Sequence, residues 1–204
     1  VQRRQKSTAG LVSLALLAAI AVVSNNAIAI ADKNNEVVKQ MFKDDQVATI
    51  SKVDGLWVVG DSVILGIRSE LEAKAHIGLI NARVGRQAGE LLEVIKHDKV
   101  KMAGMKTVLD IGNNNRLTSS EVEAIFEELK DQPLVIVVNT AVPRSWRDEN
   151  NQLIASIASQ YPNIRIVDWA LKSENHPEYF APDGVHLIPA GIAAYVSAIT
   201  DYLY

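Results

Sequence analysis

The sequence predicts an α/β domain: a parallel sheet of about five strands with helices on both faces. Three observations carry this. Five short runs rich in Val, Ile and Leu recur between Leu56 and Val167. Segments with helical spacing separate them, so consecutive strands must cross over and pair in parallel. The runs are short and mostly apolar, as strands covered on both faces require. At 204 residues and 48% hydrophobic, the chain is long and apolar enough to bury a sizeable core.

The elements follow in order. Leu56 to Gly60 is the first strand and Val63 to Ala75 the helix after it. Gly78 to Val84 is the second strand, with Gln87 to Met102 helical. Thr107 to Ile111 is the third, followed by a helix over Ser119 to Lys130. Thr118 or Ser119 suits its N-cap, with Glu121 or Glu123 in the first turn. Leu134 to Asn139 is the fourth strand, Trp146 to Gln160 a helix and Ile164 to Val167 the fifth strand. Pro189 to Tyr202 closes the chain as a helix, after a segment that reads as a long loop.

The first 54 residues differ in character. Residues 1–9 carry Arg3, Arg4 and Lys6, and residues 10–31 carry no charge. Roughly 22 residues at about 1.5 Å each reach about 33 Å, enough to cross a bilayer core. With no comparable basic cluster after it, the positive-inside rule makes residues 1–9 a cytoplasmic flank and puts everything after the span outside. Residues 10–31 are therefore expected to be a transmembrane helix, 32–54 a linker and 55–204 the catalytic domain of a membrane-anchored protein. Ala27-Ile28-Ala29 would also suit a cleaved signal peptide, and a buried core helix is the third alternative. The chain begins with Val1, which suits a fragment of something longer.

Charge and composition exclude several classes. The net charge is -3, with no basic stripe interleaved with aromatics, so nucleic acid is not an expected partner. No cysteine is present, which removes disulfides and thiol chemistry. No histidine pair has metal-site spacing and no Gly-rich loop has phosphate-binding spacing, so neither a metal nor a cofactor is expected.

In a parallel sheet, sites form at the carboxyl ends of the strands. Ser62 lies there, in Gly60-Asp61-Ser62, either as an ordinary helix cap or as a nucleophile. Asp183 and His186 lie in Asp183-Gly184-Val185-His186, which reads alone as a turn. A serine, an aspartate and a histidine together can make nucleophile, orienter and base. Gly85 follows the second strand and could expose a backbone N–H. Asn114, in Gly112-Asn113-Asn114-Asn115 after the third, could offer an amide to an oxyanion. Arg86, Asn113, Arg144 and His176 are candidate substrate contacts; for each, a loop or surface role is the alternative.

Together these blocks resemble the SGNH (GDSL-like) hydrolase superfamily over Leu56 to Tyr204. Gly60-Asp61-Ser62 looks like its first block, Gly85 its second, Gly112-Asn113-Asn114 its third, and Asp183-Gly184-Val185-His186 its fifth. Asn115 stands where the third block often has aspartate. A nearer resemblance, to the extracytoplasmic domain of bacterial peptidoglycan O-acetyltransferases, rests on Val84-Gly85-Arg86-Gln87, Val142-Pro143-Arg144, Val167-Asp168-Trp169 and His176-Pro177-Glu178-Tyr179-Phe180. The resemblance implies a flavodoxin-like three-layer sandwich. It implies a Ser62–His186–Asp183 triad, an oxyanion hole of Ser62, Gly85 and Asn114, and transfer of acetyl to a cell-wall glycan through acetyl-Ser62. The C6 hydroxyl of N-acetylmuramic acid would be the acceptor, and a membrane acyltransferase domain would deliver the acetyl group. An esterase or lipase of the same superfamily, an acetyltransferase for another surface polysaccharide and a non-catalytic glycan-binding module are the alternatives.

Overall fold

A computed structural model describes residues 55–204. Strands β1 (Leu56–Gly60), β2 (Ile77–Ala82), β3 (Lys106–Asp110), β4 (Val135–Val138) and β5 (Ile164–Val167) form one parallel sheet in the order β2-β1-β3-β4-β5. The helices are α1 (Ser62–Lys74), α2 (Ala88–Asp98), α3 (Ser119–Leu129), α4 (Arg147–Ala158), a short α5 (Trp169–Lys172) and α6 (Pro189–Thr200). A single 3-10 turn, Pro177–Tyr179, lies between the last two.

Strand alternation sorts the core into two halves. Trp57, Val59, Leu109, Val135 and Val137 pack against α2, α3 and α4, with Ile95, Phe126 and Ile154 fully buried among them. Leu56, Val58, Val108, Ile136 and Val138 face the other way, onto Ile64, Ile67 and Leu71 of α1 and Tyr195, Val196 and Ile199 of α6. This makes a helix–sheet–helix sandwich with the doubly wound order 2-1-3-4-5, whose switch point falls at β1/β3. The sheet edge beyond that crevice receives the β1–α1 turn and the loop after β3, so Ser62 and Asn114 approach each other by topology.

Local chemistry explains the ends of the helices. Thr118 caps α3: its hydroxyl accepts from the Glu121 N–H, and Glu121 returns a bond to the Thr118 N–H at 2.9 Å. At α1 the cap is Asp61, whose Oδ1 accepts from the Val63 N–H at 2.9 Å. Ser62 is therefore the first helical residue, and its hydroxyl is relieved of the capping role that serine at a helix start would ordinarily take.

Two boundaries depart from the sequence reading. β2 runs Ile77–Ala82 and ends before Val84, which is 69% exposed because Arg83 to Arg86 turns back on itself (Arg86 N–H to Arg83 C=O, 3.3 Å). Residues 168–180, read as loop, contain α5 and the 3-10 turn. Elements of four and three residues are too short to show a period. The expected transmembrane helix, cytoplasmic flank and linker lie outside the described residues; among those described, no helix is long and apolar enough to cross a membrane.

One glycine fixes how α6 meets the chain before it. A Cβ on Gly191 would stand 2.8 Å from the Tyr179 carbonyl carbon and 2.9 Å from its Cα. That backbone cannot yield, since the Tyr179 carbonyl accepts from Ile188 and its ring stacks on Trp169. Gly191→Ala gains up to about 1 kcal/mol of helix propensity, but overpacking costs about 1–3 kcal/mol. A net loss of stability is expected, read as a lower denaturation midpoint with unchanged slope.

Candidate active site

The loop from Phe180 to Leu187 is shaped before it meets Ser62. Phe180 and Leu187 form an antiparallel bridge, and the Ala181 N–H donates to the His186 carbonyl at 2.7 Å. Gly184 has φ +68° and faces Pro143, where a Cβ would stand 3.0 Å from Cγ. Inside this turn Asp183 Oδ1 accepts from the backbone N–H groups of Val185 at 2.8 Å and His186 at 3.0 Å. Its other oxygen lies 2.7 Å from His186 Nδ1. His186 Nε2 is 3.1 Å from Ser62 Oγ.

These distances assign the protons. The hydrogen bond from His186, helped by the two backbone N–H groups, holds the Asp183 carboxyl down to about 2. It is therefore a carboxylate that can only accept, so Nδ1 carries the imidazole hydrogen and Nε2 is left to accept from the Ser62 hydroxyl. That line can lift a proton from Ser62 as its oxygen attacks an acyl carbon. Asp183 and His186 are about half exposed, with side chains 48% and 50% accessible, so acyl donor and acceptor can reach the line from solvent.

Behind Ser62 the site is buried and polar. Asp61 Oδ2 accepts from Asn114 Nδ2 at 2.6 Å and from Asn113 Nδ2 at 3.1 Å. Asn113 Nδ2 also lies 3.0 and 3.1 Å from the two oxygens of Asp110, at the end of β3. Gly60 is required here, because a Cβ would reach Asp110 Cβ at 3.0 Å and collide with Ile64. Gly85, at φ +69° and exposed, lies in the turn after β2.

Several candidates are placed differently from a substrate contact. Arg86 is 9% exposed, and its guanidinium donates to Gly60 C=O at 3.1 Å, Asn81 C=O at 2.6 Å and Asn81 Oδ1 at 2.9 Å. Through its two terminal nitrogens it ties the ends of β1 and β2 together, while its buried Nε makes no hydrogen bond. Asn113, at 8% exposed, likewise faces inward onto two carboxyls. Both candidate substrate contacts are thus buried and hydrogen-bonded within the protein. Arg144 is exposed and reaches the Pro143 carbonyl at 3.4 Å. His176 stacks on Tyr179 with ring centroids 4.5 Å apart and pairs with Glu178 at 2.7 Å.

An open groove of about 860 Å³ lies beside the site, along α4 and residues 168–175. Arg147, Gln152, Asp168 and Asn175 line it, and it shares Asn139, Ala141 and Phe180 with the recess beside Val63, Asp110 and Val185. The sequence reading assigned no role to Asp61 or Asp110. The available signal was an acid at the end of a strand otherwise apolar on both faces.

The fold is shared with solved GDSL-like lipase and SGNH hydrolase domains. In sequence, the chain is homologous to part of the curated peptidoglycan O-acetyltransferases. It is 35% identical over 146 residues to OatA of Listeria monocytogenes, covering 71% of this chain and 23% of that protein. The chain thus spans about a quarter of the length of the curated relatives it matches. No family model matches it. Among solved structures, the C-terminal catalytic domain of Streptococcus pneumoniae OatA, bearing a methylsulfonyl adduct, superposes with a TM-score of 0.64 at 24% identity, over 75% of this chain and 94% of that one. A lipase/acylhydrolase from Enterococcus faecalis gives 0.59 at 15% identity, over 72% and 94%.

Proposed function

We propose that this domain is a serine-dependent O-acetyltransferase that moves an acetyl group onto a peptidoglycan hydroxyl. The observation that carries the reading is the unbroken line Asp183–His186–Ser62, with contacts of 2.7 and 3.1 Å. The sequence relatives named peptidoglycan O-acetyltransferases support the acceptor class.

In the reaction, His186 Nε2 takes the Ser62 hydroxyl proton as Oγ attacks the acetyl carbonyl of the donor. The carbonyl oxygen becomes an oxyanion, stabilised by the Ser62 and Gly85 N–H groups and the Asn114 amide. Collapse breaks the bond to the donor's leaving group, which takes the proton from His186, and acetyl-Ser62 remains. An acceptor hydroxyl then gives its proton to His186 and attacks; Ser62 leaves and recovers the proton. Asp183 keeps the imidazole in the required tautomer and offsets the imidazolium charge in both halves. The acceptor is the C6 hydroxyl of N-acetylmuramic acid, with the acetyl group supplied through a membrane acyltransferase domain and residues 10–31 as the anchor.

The half-exposed triad favours a second reading, an esterase of the same superfamily, since water reaches acetyl-Ser62 as readily as a sugar does. The open groove of about 860 Å³, which meets the recess beside Val63 and Val185 at Asn139, Ala141 and Phe180, gives an extended acceptor room to bind and so supports transfer. The test supplies the chain with an activated acetyl ester, with and without muramoyl-containing oligomers, and follows acetate and acetylated glycan by mass spectrometry. Acetyl on the glycan is the expected result. Acetate alone, at the same rate with and without glycan, would establish the esterase.

A further inference from the structure

Two buried carboxyl groups stand directly behind the nucleophile, and the reaction above uses neither. Asp61 is 3% exposed and Asp110 2% exposed, and their carboxyls meet at the Asn113 amide, which hydrogen-bonds to both. Two carboxylates in contact in a dry site cannot both be ionised.

The donors decide which one is charged. Asp61 accepts from the Val63 N–H and from the amides of Asn113 and Asn114. Asp110 accepts from the Asn113 amide and faces the buried Tyr195 hydroxyl of α6. Around the pair, His186 faces Asp61 from the loop, and Arg86 lies on the β2 side with its guanidinium spent on Gly60 and Asn81. Asp110 therefore meets fewer donors and no cation.

We propose that Asp110 is a positioning residue that works as a neutral carboxylic acid, its O–H donating to the Asp61 carboxylate, which in turn orients Asn114 and caps the helix that starts at Ser62. The inference rests on the reading of Ser62 and Asn114 given above. Burial pushes the Asp110 carboxyl well above its ordinary range, and the Asp61 charge adds to it. A single shared proton holds three things in register: the α1 start, the loop after β3 and the amide beside the oxyanion. Asparagine at 110 imitates the neutral acid, since its N–H can donate to Asp61 while its oxygen accepts from Asn113. Asparagine at 61 imitates nothing needed, because it would turn a donor toward donors.

The experiment compares Asp110→Ala, Asp110→Asn and Asp61→Asn using hydrolysis of an activated acetyl ester, with thermal melting and infrared spectra run beside it. Expected are a kcat loss of about 10–100-fold in Asp110→Ala with KM little changed, recovery to within about threefold in Asp110→Asn, and a loss of about 100-fold in Asp61→Asn. The folded chain holds the Asp110 proton above the unfolded carboxyl value of about 4, so its stability falls as pH rises through that range. The Tm of Asp110→Asn minus that of the parent should therefore climb from pH 4 to pH 8. A protonated-carboxyl stretch present at pH 7 in the parent should vanish in Asp110→Asn. A flat Tm difference with no such band would overturn the proposal, as would Asp110→Asn being as slow as Asp110→Ala. If the parent itself releases no acetate, the reading of Ser62 fails, while the melting and infrared arms still judge the proton.

Discussion

Ser62→Ala is expected to lower kcat for acetyl release by at least about 10⁴-fold while leaving the fold intact. Removing one member of a hydrogen-bonded nucleophile–base–orienter line costs nearly as much as removing all of it. The stability side of the expectation comes from the cap. Asp61, not Ser62, accepts the Val63 N–H that the start of α1 leaves free. Alanine at the first helical position keeps that bond, so Tm should stay within the range of a neutral surface change. Labelling by a sulfonyl fluoride, followed by intact mass, should be lost in the same variant. If acetate release survived Ser62→Ala within tenfold, the nucleophile would lie elsewhere and the His186 contact would be structural.

Asn114→Ala carries the second large effect, an expected kcat loss of about 10²–10³ with KM changed only a few-fold. The geometry explains the split between the two constants. One amide hydrogen of Asn114 is held firmly on Asp61 at 2.6 Å, which fixes the plane of the amide. The other reaches the Arg86 carbonyl at only 3.3 Å, a weak bond that a full oxyanion beside Ser62 outcompetes. The amide is thus set in place before reaction and rewarded only when charge develops, which affects kcat rather than ground-state binding. Steady-state kinetics on the acetyl ester test it. A loss under tenfold would assign the oxyanion to the backbone N–H groups of Ser62 and Gly85.

The sheet was legible because its central strands are short runs of apolar residues separated by helices. Val58, Val108 and Ile136 lie in runs apolar on both faces, and such runs separated by helices admit one kind of sheet. The Thr118–Glu121 cap was visible for a similar reason: it is a contact between residues three apart, which local sequence encodes fully. What escaped were contacts between residues far apart. Arg86 and Asn113 are candidate substrate contacts in the sequence, with nothing local to show that they are buried. The structure spends Arg86 on Gly60 and Asn113 on Asp61, partners that only the packed sheet brings near.

The same division runs through the site. Residue types and chain order named Ser62, Asp183 and His186, since few side chains can serve as nucleophile, orienter and base, and since the Asp183–His186 turn is local. Closing 124 residues of chain to bring Nε2 within 3.1 Å of Oγ took the packed sheet, with α1 and α6 side by side on one face. The charge state behind Ser62 also lay beyond local pattern. Asp61 and Asp110 are ordinary acids in the sequence. Burial in one dry recess, with a single amide between them, forces them to differ, because ionising both there costs more than the fold can return.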